Sequence, residues 1–247
     1  IYTLSLHDAL PISPEPGTHF SAFASSLREA SAEADNLAEL ITFARRRHEV
    51  PAGNDYLELP VTTLVRGGAW AAFVADIALN AKRFAECCNG ALAEYRRTSG
   101  TRSASEPFPD LASEADLIEL PLWAIADGRR TSVWARRVGD EVELTSEGAA
   151  LGRVVLGREE PGVMLRDVTA VIVPKALALT LFTRVFVADL FIHGLGGERY
   201  DAVTDEVCRR YYGVEPPQFV VVTMSMRLPL PADPVSDEQI ATAKDKV

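Results

Sequence analysis

Apolar positions recur at helical spacing over two stretches of the N-terminal half. Phe20, Phe23, Leu27, Ala30, Leu37, Leu40, Ile41 and Ala44 predict a helix from Phe20 to His48, with Arg45-Arg46-Arg47 in its last turn and Pro51-Ala52-Gly53-Asn54-Asp55 ending it. A second stripe, Trp70, Phe73, Val74, Ile77, Ala81, Phe84, Cys88, Leu92 and Tyr95, predicts one long helix from about Ala69 to Arg97. At about 1.5 Å per residue that helix would reach roughly 40 Å, and an apolar stripe of such length needs a partner helix or a sheet.

The period then changes. Ser99 to Asp116 is polar, contains Pro107 and Pro109, and reads as a loop. Leu117 to Ile125, Thr131 to Val138 and Glu141 to Leu144 are short extended runs parted by Asp127-Gly128 and Gly139-Asp140. Those pairs accept positive φ in tight hairpins, so a three-stranded antiparallel meander is expected, with Trp123 and Trp134 packing on it. Gly148 to Gly162 shows little pattern.

An alternation of helix and strand follows. Pro174 stands where a helix would start, and Lys175 to Arg184 carries Leu177, Leu181 and Phe182 on one face. Val187 to Ile192 reads as a buried strand interrupted by Asp189, a costly position unless Lys175 or Arg184 pairs with it. His193-Gly194-Leu195-Gly196-Gly197 makes a glycine-rich turn, Glu198 to Tyr212 a helix closed by Gly213, and Phe219 to Met226 a second strand. Strand, turn, helix and strand form a βαβ unit whose strands should run parallel. The fold class expected is therefore α/β, a Rossmann-like core with a long-helix region and a small antiparallel β-meander. Residues 14–98 form the helical region, 99–162 the loop and meander, and 163–247 the Rossmann-like region.

The first 13 residues stand apart. Thr3-Leu4-Ser5-Leu6-His7-Asp8-Ala9-Leu10-Pro11-Ile12 is, residue for residue, the translation of a sequencing-library adapter, so residues 1–12 and Ser13 with them are expected to be an assembly artefact. With no initiating Met and a helix-like final stretch from Ser236 to Val247, the chain reads as an internal piece of a longer protein, truncated at its C-terminus.

Net charge is -10, which argues against a nucleic-acid binder or a binder of anionic membranes. The arginine pairs Arg96-Arg97, Arg129-Arg130, Arg136-Arg137 and Arg209-Arg210 are scattered and read as solvated surface. No apolar run of about 18 residues suggests a membrane span. Cys87, Cys88 and Cys208 make neither a metal spacing nor an even disulfide set, so no metal site is expected and a reducing cytoplasm is.

Chemistry concentrates at the glycine turn. Glycines let backbone approach a ligand and a helix N-terminus offers unpaired N–H groups, so a nucleotide or other anionic small molecule is expected at Gly194, Gly196 and Gly197, with Tyr200 and Thr204 beside it. His193, Asp201 and Asp205 are the catalytic candidates. His193 is either a general base or a structural histidine bonded to nearby backbone. Asp201 and Asp205 either reach a cation or substrate amine or compensate the helix dipole, and the second role suits Glu198. Asp201, Thr204, Asp205 and Cys208 share one helix face. The G-x-G-G spacing, with no ribose-binding acid after a second strand, departs from a dinucleotide fingerprint, and the cofactor stays unassigned.

Several of these segments carry a resemblance. Phe84 to Arg96, Pro107 to Leu111, Phe191 to Gly197, Tyr200 to Asp205 and Tyr212 to Pro217 resemble an uncharacterised family of longer bacterial proteins with an HGxGGxxYDxxTD motif, which implies no activity. Gly194-Leu195-Gly196 with Tyr200, then Gly213-Val214, Pro216-Pro217, Val220-Val221-Val222 and Ser225, is distantly similar to the bacillithiol-forming cysteine-adding enzyme. That resemblance implies a Rossmann-like core and the joining of cysteine to a sugar amine. His193-Gly194-Leu195-Gly196-Gly197 also resembles the oxyanion loop of α/β-hydrolases, which implies a G-x-S-x-G elbow downstream; none occurs, and Ser225 lies between Met224 and Met226. The expectation is group transfer or ligation on a bound anion. The alternatives are a non-catalytic scaffold that assembles with its own copies through the long helix, and a hydrolase fragment.

Overall fold

The computed structural model describes residues 16–53, 56–101, 103, 107–155, 165–223 and 225. They divide into two compact units, the helices up to Leu57 and the segment Glu58–Thr223. The adapter-like residues 1–13 and the helix-like 236–247 lie outside the described residues.

The smaller unit holds α1 (Pro16–Ala30) and α2 (Leu37–Glu49). The stripe expected to form one helix from Phe20 to His48 is interrupted because Asn36 starts a new one. Its side-chain oxygen accepts the Glu39 N–H at 3.0 Å, while the Glu39 carboxylate reaches back past the N-cap to accept the Asp35 N–H at 3.0 Å. Gly53, at φ +89°, closes the 3-10 turn Val50–Ala52 that follows α2.

The larger unit opens with α3 (Val61–Leu64), α4 (Gly68–Leu79) and α5 (Ala81–Ser99). The long helix expected from Ala69 to Arg97 is thus two helices, broken at Asn80, whose backbone sits at φ -110° and ψ 27°. The Asn80 amide donates to the Asp76 carbonyl at 3.0 Å and to its carboxylate at 3.3 Å, and such local side-chain bonding competes with the next helical turn. The stripe itself is buried as its period requires: Trp70, Phe73, Val74, Ile77, Phe84, Cys88 and Leu92 all belong to the core of this unit.

That core lies between the helices and an antiparallel sheet. Its strands are β1 (Ser113–Glu114), β2 (Leu117–Ala126), β3 (Arg129–Val138), β4 (Glu141–Ser146), β5 (Ala149–Val155), β6 (Leu165–Arg166) and β7 (Val171–Pro174). Strands β1 to β6 pair in chain order, and β7 shares the outer edge of β2 with β1, β1 along Leu117 and Ile118 and β7 from Leu122 to Ile125. Between Glu119 and Trp123 the β2–β3 register shifts, at the point where Pro121 has no N–H to give a ladder. The three-stranded meander expected from the sequence is contained in this seven-stranded sheet, with the hairpin at Asp127 (φ +50°) and Gly128 (φ +71°) where it was expected. It continues past Leu144 because Glu147 and Gly148, at φ +48° and +82°, turn the chain once more. β7 comes from the stretch read as the start of the α/β alternation.

After β7 come α6 (Ala176–Phe186), β8 (Phe191–His193), α7 (Leu195–Val207), a π-helical turn Cys208–Tyr212 and β9 (Phe219–Val221). β8 and β9 are parallel, with Ile192 opposite Val220, and the Val222 N–H donates to the His193 carbonyl at 2.8 Å. Both strands are shorter than expected. Val187 to Leu190 precede β8 in irregular backbone, so Asp189 is exposed and needs no partner. Lys175 and Arg184, offered for that role, pair elsewhere. Ile192 is 59% exposed, so β8 is not the strand buried on both faces that its composition suggests. Ser225 lies in no strand. The fold combines helices with a dominant antiparallel sheet and one two-stranded parallel pair. No described helix is long and apolar enough to cross a membrane.

Candidate functional site around His193

Gly194 caps α7 and Leu195 is its first residue, so Gly196 and Gly197 lie inside the first helical turn rather than in a loop. None of the three glycines takes a positive φ. Their roles differ. A β-carbon on Gly194 or Gly196 would meet nothing within 4 Å, whereas on Gly197 it would fall on the ring of His193, 2.8 Å from Cγ. The third glycine exists to admit the imidazole. Tyr200 lies in α7, and its side chain is outside the described ones.

His193 ends β8 with its ring edge-on to Phe191, centroids 4.5 Å apart, and to Phe219 at 5.8 Å. Its Nε2 contacts Asp201 Oδ2, in a direction that departs from a linear hydrogen bond. Nδ1, beside Gly197, has no hydrogen-bond partner among the described residues. Asp201 is 0% exposed and Thr204 1%, the face of α7 that spacing assigned to them, and Cys208 is buried on that face as well.

The counter-charge comes from α6. Arg184, the one charged residue of α6, is 2% exposed, and its Nη1 lies 2.8 Å from Asp201 Oδ1 and 2.8 Å from Asp205 Oδ1. Nη2 donates to the Pro217 carbonyl at 2.6 Å, and the guanidinium carbon stands 4.8 Å from the centre of the Phe219 ring. Nε has no partner. Burial pushes the Asp201 carboxyl above its ordinary value, against the opposing pull of Arg184 and His193. The Cys208 thiol is raised too, again by burial first. Sequence reasoning found His193, Asp201 and Asp205 but offered Arg184, the one charged residue of Ala176–Phe186, only to Asp189.

A cavity of about 440 Å³ adjoins this cluster, lined by Arg184, Glu198, Asp205, Arg209, Glu215 and the Pro216–Val221 segment. Of the residues selected from sequence only Asp205 and Glu198 line it; His193 and the glycines do not. Arg209 is occupied by Glu215 at 3.1 Å and Glu206 at 3.6 Å. Among the described residues no group of His, Cys, Asp and Glu could hold a metal ion.

Comparison of the chain with family models, curated proteins and solved structures gives no match. An imidazole backed by a buried carboxylate, with its other nitrogen free at a helix N-terminus, can exchange a proton with a bound ligand. The charge of the Arg184 guanidinium is offset by two carboxylates, which leaves little net positive field to clamp an anion, although its Nε–H is unused.

Proposed function

We propose that the chain binds a small anionic molecule, such as a nucleotide, at the N-terminal end of α7, and that His193 moves a proton there during group transfer or ligation. The observation that carries this reading is the His193 imidazole, with Nε2 on the Asp201 carboxylate and Nδ1 unpartnered beside Gly197. A carboxylate behind an imidazole fixes its orientation and stabilises the protonated ring, so the outer nitrogen can take a proton and return it. The first amides of α7 supply donors for an anion, and the empty space at Gly194 and Gly196 leaves room for its approach. On this reading β8, α7 and β9 are the ligand-binding βαβ unit of a Rossmann-like core.

A non-catalytic reading is favoured by a different observation, the engagement of the buried Arg184 with Asp201, Asp205 and the Pro217 carbonyl inside the fold. A thermal-shift and calorimetric screen of nucleotides, phosphosugars and thiols, run on the parent, His193→Ala and Gly196→Val, separates the two. Binding to the parent that is lost in Gly196→Val and weakened in His193→Ala supports the proposal. No binding anion, or one that stabilises all three proteins equally, leaves the cluster a structural one.

A further inference from the structure

A recess on the larger unit has walls of unusual composition for its charge. It encloses about 390 Å³ and is lined by Ala69, Ala72, Phe73, Asp76, Phe186 and Tyr212. The three aromatic residues come from α4, the end of α6 and the π-helical turn, and their rings stand at steep angles. Phe73 and Phe186 are inclined by 60° with centroids 6.1 Å apart, Phe186 and Tyr212 by 80° at 5.5 Å. Rings so inclined make adjoining walls rather than a stack. Phe73 is 4% exposed and forms the deep side, while Phe186, 49% exposed, stands at the rim.

The one charged group in this lining is an acid. Asp76 has no ion-pair partner among the described residues; its carboxylate receives only neutral donors, the Tyr211 hydroxyl at 3.0 Å and the Asn80 amide at 3.3 Å. Tyr212 contributes a hydroxyl that is buried with no hydrogen-bond partner. Burial, with the Asp76 charge adding to it, pushes that hydroxyl far above its ordinary value, so it stays protonated. The recess thus offers aromatic walls and a carboxylate without an ion-pair partner among the described residues, with the unsatisfied Tyr212 hydroxyl buried behind its ring.

We propose that this recess binds a small organic ammonium ion carrying at least one N–H. Aromatic faces attract a cation through their quadrupole, and this attraction strengthens when the cation leaves water. The N–H donates to the Asp76 carboxylate and supplies the positive charge that this acid lacks among the described residues. A bare metal cation is disfavoured, because hard cations need several oxygens and most of this wall is carbon. A neutral apolar ligand would strip water from the carboxylate without replacing its charge.

The test uses three alcohols of similar shape on the full chain: N,N-dimethylethanolammonium, choline, and the uncharged 3,3-dimethylbutan-1-ol. Calorimetry should rank them in that order, the first binding about tenfold or more tighter than the neutral one. Asp76→Asn should weaken the first by about tenfold while retaining an acceptor for Tyr211. Phe186→Leu, a change at the exposed rim that leaves the core intact, should weaken it severalfold with an unchanged melting temperature. Equal binding of the neutral alcohol, no loss in Asp76→Asn, or no saturable binding of either ammonium overturns the proposal; choline binding as tightly as the first overturns the requirement for an N–H.

Discussion

The imidazole of His193 fills the volume that a side chain on Gly197 would occupy, with Cγ 2.8 Å and Cε1 3.0 Å from the position of the missing β-carbon. The two residues are separated by the first turn of α7, so the sequence spacing H-x-x-x-G places a ring over a bare backbone. The adjacent Gly196 has open space at the same position.

Gly197→Ala should therefore displace the ring from Asp201, whereas Gly196→Ala should not. The expected cost of the first is about 1–3 kcal/mol from overpacking, and the second should be neutral or slightly stabilising in a helix. Thermal melts of both variants, with NMR of the imidazole resonances, check this. Identical behaviour of the two variants would mean that the ring has room to move.

Arg184→Met should be among the most damaging single changes. It would leave the buried Asp201 and the half-buried Asp205 without their shared cation, a loss of about 3–5 kcal/mol for a broken interior ion pair. Adding Asp201→Leu to it should recover part of the loss, because the stranded charge goes with the carboxylate. Denaturant unfolding of the single and double variants measures both effects, and a single variant within about 1 kcal/mol of the parent would contradict the assignment.

Glu119 gives an acid-sensitive contribution. Burial pushes its carboxyl upward, but the Lys175 ammonium at 2.5 Å, the Ala112 N–H and the Ser132 hydroxyl outweigh it, and the net value lies below the usual one. The folded state therefore holds this proton less tightly than the unfolded chain. The stability it contributes is present above the unfolded value, about 4.3, and is lost as pH falls through the lower folded value. Urea titrations across that range should show a shallower loss on acidification for Glu119→Gln than for the parent. Asp201, whose value is raised, contributes with the opposite sign, so the comparison rests on the difference between the two proteins.

Phe84→Asp should prevent folding of the larger unit. Phe84 is 0% exposed and stands edge-on to Tyr211 with centroids 4.9 Å apart, so the new carboxylate would have neither water nor a partner. A soluble variant with the parent's far-ultraviolet circular dichroism and melting point would refute the packing of α5.

Periodicity carried much of the fold into the sequence. The stripe from Trp70 to Leu92 does face the core, and Asp127-Gly128 does turn a hairpin, since both signals are local. The break at Asn80 was hidden because the apolar spacing runs through it without a Pro or Gly; its backbone leaves the helical region while its side-chain amide and its own N–H both donate to the Asp76 carbonyl. The strand after Gly148 was missed because Glu147 at φ +48° is a less familiar turn residue than Asp or Asn. At the site, His193, Asp201 and Asp205 were legible from the spacing around the glycines. Arg184 was not, because its partners lie 17 and 21 positions later and nothing in an apolar helix says which acid its cation will meet.

A single guanidinium touches α7 through two carboxylates and the segment leading into β9 through the Pro217 carbonyl. It works as a rivet between three stretches of chain. Freeing any one of them strands a charge in the interior, so separating them is penalised and the cheapest excursion keeps α6, α7 and the segment into β9 together, opening as one block with β8. Native-state hydrogen exchange should accordingly find the protected amides of those elements sharing one opening free energy, and any ligand that depends on the His193 end of α7 would sense the integrity of the Pro217 end as well.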